Sequence, residues 1–310
     1  MTDKQARGFD SRAVHAGRRD LRDLGVHAPP LDMSTTYPVE DLDGAAAQLD
    51  AWATGAQPTG SPIYARLHNP TVGRFEDAMA ELEGGEAGVA FASGMGAITA
   101  VLLALEPNRR HVVAIRPLYG GSDHLLCSGL LGVEVTWTAP EDVAAAIRPD
   151  TGLIMLETPQ NPTSTLVDIA AVASAAGDVP VLVDNTFATP VLQRPLEHGA
   201  SIVVHSATKF IGGHGDAMGG IVVCDEAFAA RVRGVRIATG AVLHPMAAWH
   251  LHRGIATLPL RVRAMTESAT QLASRLALHP AVACVHHASL SSTDPDGLVG
   301  RQMSGPGSMV

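Results

Sequence analysis

Ser201-Ile-Val-Val-His-Ser-Ala-Thr-Lys-Phe-Ile-Gly-Gly-His-Gly-Asp216 decides how this chain reads. Ile202 to His205 is an apolar run of the length of a buried strand, and it ends in a polar loop. The loop offers two hydroxyls, Ser206 and Thr208, then the amine of Lys209, then a glycine-rich turn. Hydroxyls and glycine amides can hold a phosphate, and a lysine beside them can form an imine with an aldehyde. Only Lys4 and Lys209 among the 22 basic residues are lysine, so arginine serves for solvated charge almost everywhere. A guanidinium cannot be deprotonated and is no nucleophile, whereas an amine can be both. Lys209, expected at the inner end of a strand, is therefore a candidate for covalent chemistry; the competing reading is an ordinary surface lysine. Ser206-Ala-Thr-Lys209 also spells the Ser-x-x-Lys of penicillin-recognising serine enzymes, but the Ser-Asp-Asn and Lys-Thr-Gly that accompany it there are missing from this sequence.

Two strands just upstream share this design. Leu153–Leu156 ends in Glu157-Thr-Pro-Gln-Asn-Pro162, and Val179–Val183 ends in Asp184-Asn-Thr-Phe187. Continuous apolar runs of this kind suit parallel strands covered on both faces. Helical stretches at Ile169–Ala176 and Leu192–His198 separate the three. In open α/β sheets the loops at the strand C-termini carry the site, which would gather Glu157, Asn161, Asp184 and Lys209 at one crevice. Asp184 and Lys209 could form a plain ion pair; with phosphate donors at the same edge, a cofactor is the preferred reading.

Further upstream, Gly88–Ala92 reads as a small strand, and Ser93-Gly-Met-Gly96 leads into a helix at Ala97–Leu105. Strand, glycine turn and helix start make an anion site, since free N–H groups point out of the helix end. Gly94-x-Gly96 is only a fragment of the dinucleotide fingerprint, so the expected anion is a phosphate and not a dinucleotide. His111–Ile115 is a strand, and Tyr119 in the loop after it is placed to stack on a planar ligand. Val133–Trp137 reads as a strand and Glu141–Ile147 as a helix. Before them, Asn69-Pro-Thr71 marks a turn with Thr71 as a candidate cap, and Val72, Phe75, Met79 and Leu82 share one helix face up to Gly84-Gly85. Tyr64 and Arg66, two apart in an extended segment, would point the same way and suit a phosphate, or would form a surface pair. Residues 1–62, punctuated by proline and glycine, read as an extended arm with one helix over Leu42–Trp52, suited to packing on another subunit. Downstream, Gly219–Val223 reads as a strand and Ala241–Gly254 as a helix. Leu258–Leu278 reads as a long helix with Leu260, Met265, Ala269, Leu272 and Leu276 on one stripe, and Val282–His286 as the opening of a second sheet.

The bulk numbers bound the class. A length of 310 residues with 46% hydrophobic content suffices for one large domain or two smaller ones. A formal charge of −9 argues against nucleic acid and anionic membranes as partners. The three cysteines lie far apart without metal-type spacing, and no secretory h-region is visible, so a reducing cytoplasm is the expected setting. The fourteen histidines are scattered and read as ordinary polar or core residues, with no metal site expected.

Taken together, Tyr64-Ala-Arg66 with Asn69-Pro-Thr71, Ser93-Gly-Met95, Tyr119-Gly120, Glu157–Pro162, Asp184–Phe187, and Ser206–Lys209 with Gly213-His-Gly-Asp216 resemble the Cys/Met-metabolism family of pyridoxal-phosphate enzymes. The resemblance implies an α/β fold: a mostly parallel sheet sandwiched by helices, of PLP fold type I, aspartate-aminotransferase-like. It implies a homotetramer built of two active dimers. The division it implies is an arm at 1–62, a PLP-binding α/β domain at 63–257, and a linking helix with the start of a small C-terminal domain at 258–310. Lys209 would carry pyridoxal 5'-phosphate as an internal aldimine. Asp184 would pair with the ring nitrogen, Tyr119 would stack on the ring, and Asn161 would bond near its phenolic oxygen. The Gly94 and Met95 amides with the Ser206 and Thr208 hydroxyls would hold the phosphate, and Tyr64 and Arg66 would reach the phosphate of the neighbouring subunit. Lys209, Tyr119 and Asp184 would be the catalytic residues for γ-elimination or γ-replacement on sulfur amino acids or O-acylhomoserine.

Two departures refine this expectation. Methionine γ-lyases commonly carry cysteine after the Tyr-Gly pair, and Gly121 stands there, which weakens the methionine-lyase reading without excluding it. Family members also continue beyond the position of residue 310, and the arginine that binds the substrate carboxylate lies in that part. The alternative to an active enzyme is therefore a PLP-binding subunit or fragment without turnover.

Overall fold

The computed structural model describes residues 8–310; residues 1–7, with Lys4 and the start of the expected arm, lie outside the described residues. Seven strands occur in chain order: β1 (Ala87–Phe91), β2 (His111–Ile115), β3 (Glu134–Thr138), β4 (Thr151–Glu157), β5 (Val181–Asp184), β6 (Ile202–Ser206) and β7 (Gly220–Cys224). The chain folds as two compact units, one of residues up to 104 with 206–257, the other of 105–205 with 258–310.

In the first unit β1 and β7 pair antiparallel, with Ala87 opposite Cys224 and Phe91 opposite Gly220. The helix Pro70–Glu83 is closed at both ends by local chemistry. Asn69 Oδ1 accepts the Thr71 and Val72 amides at 2.9 and 3.2 Å, Pro70 sits in the first turn, and Gly84 ends the helix at φ +81°. The cap is thus Asn69 and not the expected Thr71, whose hydroxyl instead accepts the Asp32 amide at 2.8 Å. Asn carries its carbonyl at the reach of the second and third helical amides, and Thr71 is already inside the helix. Val72, Phe75, Met79 and Leu82 are buried on the expected face. Residues 8–62 hold two helices, Phe9–His15 and Leu42–Ala53, and Trp52 is buried. Arg74 grips Asp20 through Nε and Nη2, Trp249 Nε1 donates to Pro29 O at 2.9 Å, and Arg233 Nη1 donates to Gly55 O at 2.9 Å. This segment is tied to its own chain by these bonds. The helix Glu226–Thr239, unpredicted, lies between Asp225, which caps it, and Gly240 in the left-handed region. The helix expected from Ala241 starts at Pro245, capped by His244, and runs to Ile255.

In the second unit five parallel strands run in the order β6-β5-β4-β2-β3. One core joins Ile154, Leu156, Val181 and Val183 of the sheet to Ile169, Val172 and Ala176 of the helix Ile169–Ala176. Burying strand side chains on both faces explains their continuous apolar runs. The stretch 192–198 forms no single helix: Thr189–Leu192 is one turn, Pro195–His198 a 3-10 turn, and Pro195 interrupts the backbone bonding. Glu141–Ile147 likewise reduces to a 3-10 turn at Pro140–Asp142 and one turn at Val143–Ala146.

The long helix spans Leu258–Ala277, but its buried residues are Leu258, Pro259, Val262, Ala269 and Ala273. Leu260 and Leu272 of the expected stripe are 68% and 50% exposed. Ala269 of the expected stripe is buried, but the buried face turns toward Val262 and Ala273 and away from Leu260 and Leu272. No strand forms at Val282–His286. The end of the chain docks through amides: Gln302 Oε1 accepts the Ile169 N–H at 2.8 Å, and its Nε2 donates to Val167 O and Gln193 Oε1, each at 2.9 Å. Gln193 in turn donates to Thr158 O and Asn185 Oδ1 at 2.9 Å each, which braces the loops that follow β4 and β5.

Candidate active site

The first unit holds an anion cradle with an amine on the same loop. Ser93 caps the helix Gly94–Leu103, its Oγ accepting the Gly96 amide at 3.1 Å. The Gly94 and Met95 amides have no partner among the described residues and sit at the positive end of the helix. A Cβ on Gly94 would lie 2.9 Å from Ser206 Cβ and 3.3 Å from its Oγ, so the glycine is what lets Ser206 close on the helix start. Gly220 is equally tight: a Cβ there would meet Ser93 O at 2.1 Å.

Thr208 is placed differently from expectation. Its Oγ1 accepts the Gly219 amide at 3.1 Å and donates to Gly219 O at 3.2 Å, so its hydrogen is committed to the backbone. It clamps the loop to the start of β7. Lys209 follows on a compact turn, its N–H donating to Ser206 O at 3.1 Å and its carbonyl accepting Gly213 N–H at 2.8 Å. The lysine was expected in the interior and is exposed, because the turn lifts it off the strand end while Ala207 beside it is buried. Tyr64 and Arg66 sit in a turn, not an extended segment, since the Leu67 and His68 amides both bond Tyr64 O. Their side chains nevertheless meet: the guanidinium carbon lies 5.3 Å from the phenol ring centroid, and Arg66 Nη1 donates to Ile237 O at 2.6 Å.

The second unit holds a pair of buried acids. Glu157 ends β4 and Asp184 ends β5, and the two are opposite each other in register. Asp184 Oδ1 accepts the Thr186 amide at 3.0 Å and the Thr186 hydroxyl at 2.6 Å. Burial pushes the Asp184 carboxyl up, while the Thr186 bonds and the nearby His205 oppose the shift. Glu157 is pushed up to about 8, first by burial and then by the charge of Asp184, with the bond from the Tyr119 amide opposing. Tyr119 precedes the helix Gly120–Cys127, donates its N–H to Glu157 Oε2 at 2.7 Å, and leaves its ring half exposed. Asn161 is half-buried in the loop after β4.

The structure thus brings together Gly94, Met95, Ser206, Thr208 and Lys209 in one unit and Tyr119, Glu157 and Asp184 in the other, and it seats Tyr64 and Arg66 with Ile237. Reasoning from sequence missed Thr186 and His205 beside Asp184. The Asp-x-Thr spacing is a turn signature in which the acid accepts from the residue two places on, so Thr186 was findable. Each unit offers groups that suit pyridoxal phosphate: in the first, two amides without a partner among the described residues suit a phosphate dianion and an exposed amine suits the aldehyde; in the second, a buried acid suits the ring nitrogen. No helix among the described residues is long and apolar enough to cross a membrane.

Comparison with known proteins agrees. The family model described as Cys/Met metabolism PLP-dependent enzyme matches residues 10–310. An L-methionine gamma-lyase of Streptomyces avermitilis is 60% identical over 283 residues, covering 91% of this chain and 68% of the relative. An L-methionine gamma-lyase of Brevibacterium sandarakinum is 55% identical over 300 residues, covering 96% of this chain and 76% of the relative. Among solved structures, cystathionine gamma-lyase from Lactobacillus plantarum, complexed with L-serine, has a TM-score of 0.87 at 33% identity, covering 97% of this chain and 77% of that one. The metB protein of Corynebacterium glutamicum has a TM-score of 0.90 at 32% identity, covering 99% and 78%. The fold is therefore that of these enzymes, and the chain belongs to the Cys/Met-metabolism family of pyridoxal-phosphate-dependent enzymes.

Proposed function

We propose that the protein is a γ-eliminating lyase whose substrate is L-methionine, which with one water gives a thiol, a four-carbon keto acid and ammonia. The observation that carries the reading is the loop Ser206–Lys209, which sets a phosphate cradle and an amine on one short stretch of chain. The names of the 60% and 55% identical relatives favour methionine. Gly121 pointed the other way; at this degree of identity the relatives' names outweigh a single position.

Pyridoxal phosphate supplies an electron sink that lets a proton leave Cα and a group leave Cγ. The residues divide the remaining work. Lys209 would hold the aldehyde, and its amine would carry protons at the substrate's Cα and Cβ. Asp184, kept oriented by the two Thr186 bonds, would hold the proton on the ring nitrogen. The Gly94 and Met95 amides and the Ser206 hydroxyl bind the phosphate, and Thr208 keeps their loop closed through Gly219. Tyr119 would cover the ring face, and its phenol would protonate the departing sulfur. Asn161 bonds the ring oxygen. Tyr64 and Arg66, already stacked on each other, serve the phosphate of a second copy, which makes a dimer the active unit and a tetramer the expected assembly.

A second reading, cystathionine as substrate, is favoured by the name of the Lactobacillus plantarum structure and by Gly121, which weakens the methionine reading. The test is thiol and keto-acid release from methionine and from cystathionine, with borohydride fixation of the cofactor and mass mapping. Release from methionine, with the adduct on Lys209, is expected. Turnover that survives Lys209→Ala would sink the assignment, and turnover of cystathionine alone would move it to the second reading.

A further inference from the structure

We propose that Glu157 is the positioning residue for Tyr119: by accepting the Tyr119 amide hydrogen it sets where the phenol ring stands. The inference rests on the reading above, in which Tyr119 covers the cofactor ring and protonates the leaving group. The segment that carries Tyr119 is pinned at both flanks by other groups. Gln160 Nε2 donates to Arg116 O at 3.2 Å, and the Arg116 guanidinium lies 3.7 Å over Trp137 while gripping Asp123 at 2.7 and 3.1 Å. Between these anchors Tyr119 stands just ahead of the helix Gly120–Cys127, where no intrahelical carbonyl can take its N–H. The Glu157 carboxyl takes it at 2.7 Å.

Glu157 suits this role for three reasons. It ends a central strand of a parallel sheet and is 4% exposed, so the acceptor is fixed to the most rigid element available. The half-exposed Tyr119 ring has no such support of its own. And a buried acid beside Asp184 that holds its own proton leaves the negative charge to Asp184, whose oxygen receives two hydrogen bonds against one at Glu157.

The role requires an acceptor at a given reach and not an acid, and two conservative variants separate these properties. Glu157→Gln keeps the reach and loses the acid. Glu157→Asp keeps the acid and withdraws the acceptor by about 1.5 Å, one bond length. Misplacing a reacting group by an ångström can lower a rate by up to about a hundredfold. On this reading Glu157→Gln stays within about threefold of the parent kcat, whereas Glu157→Asp loses about tenfold or more in kcat with KM little changed. The circular dichroism of the bound cofactor should fall in Glu157→Asp, as the ring beside it loses its fixed orientation. In a Tyr119→Ala background the step from Glu to Asp should change kcat by less than about twofold, because there is no ring left to place. The proposal is overturned if Gln lowers kcat as much as Asp does, or if the Asp loss persists in full beside Tyr119→Ala. Borohydride mapping on each variant keeps the two readings apart: no adduct on Lys209 in the parent protein sinks the parent reading, whereas a normal adduct with the wrong order of variants sinks only this one.

Discussion

Glu157→Gln should change how the stability of the cofactor-free protein depends on pH. The Glu157 carboxyl rises from its ordinary 4.5 to about 8 in the folded chain, burial being the main cause. Below pH 4.5 both folded and unfolded chains hold the proton, and the charge contributes nothing to the difference between them. Between 4.5 and about 8 the unfolded chain releases the proton while the folded chain retains it, so stability falls as pH rises through that window. At about 1.4 kcal/mol for each pH unit, the loss reaches about 3 kcal/mol at neutral pH and about 5 kcal/mol above the folded value. Glutamine has no proton to lose and keeps an oxygen for the Tyr119 amide. The variant should therefore match the parent near pH 4.5 and exceed it progressively up to about pH 8, read as a growing gap between their urea midpoints. Asp184→Asn should narrow the gap, since the Asp184 charge is the second cause of the shift. A gap of constant size across the window would show that Glu157 titrates like an exposed carboxyl and would refute the reasoning.

Three further outcomes are expected. Gly94→Ala places a Cβ 2.9 Å from Ser206 Cβ and 3.0 Å from its Cα. The cradle must open, at about 1–3 kcal/mol, and equilibrium dialysis should show pyridoxal phosphate bound about tenfold more weakly or worse. Asn69→Ala removes the cap on the helix Pro70–Glu83 and the bonds to Asp32 O and Tyr37 Oη, both at 3.1 Å. The urea midpoint should fall by the equivalent of about 1–3 kcal/mol. Val262→Ala, in the buried face of the helix Leu258–Ala277, should lower stability by about 1–3 kcal/mol, whereas Leu260→Ser, 68% exposed, should stay within about 0.5 kcal/mol. Equal losses at the two positions would restore the stripe expected from the sequence.

Much of the fold was legible because its signals are local. Strands β1, β2, β4, β5, β6 and β7 announce themselves as short apolar runs, and Gly84 closes a helix where a glycine is expected to. The short helix Gly120–Cys127 was not legible, since two glycines at its start argue against it and the Tyr119 amide just ahead of it is satisfied by Glu157, far along the chain. The long helix was legible in length but not in orientation. Its buried face runs through Val262, Ala269 and Ala273, of which only Ala269 lies on the expected stripe, and hydrophobicity ranks Ala273 below the exposed Leu260 and Leu272.

The division at the site has the same cause. Sequence by itself determined which groups are present and in what order: the hydroxyls and amine of Ser206–Lys209, the acid Asp184, the glycine turn at Gly94 and the aromatic Tyr119. These are properties of adjacent residues, and family motifs are spelled in them. Only the tertiary structure decided what each group does with its hydrogen. It turned Thr208 onto Gly219, lifted Lys209 out of the interior, aligned Glu157 with Asp184 across neighbouring strands and gave the Tyr119 amide to Glu157. Hydrogen bonds and burial depend on distances between residues remote in the chain, and those distances come into being only when strand register and loop closure are set.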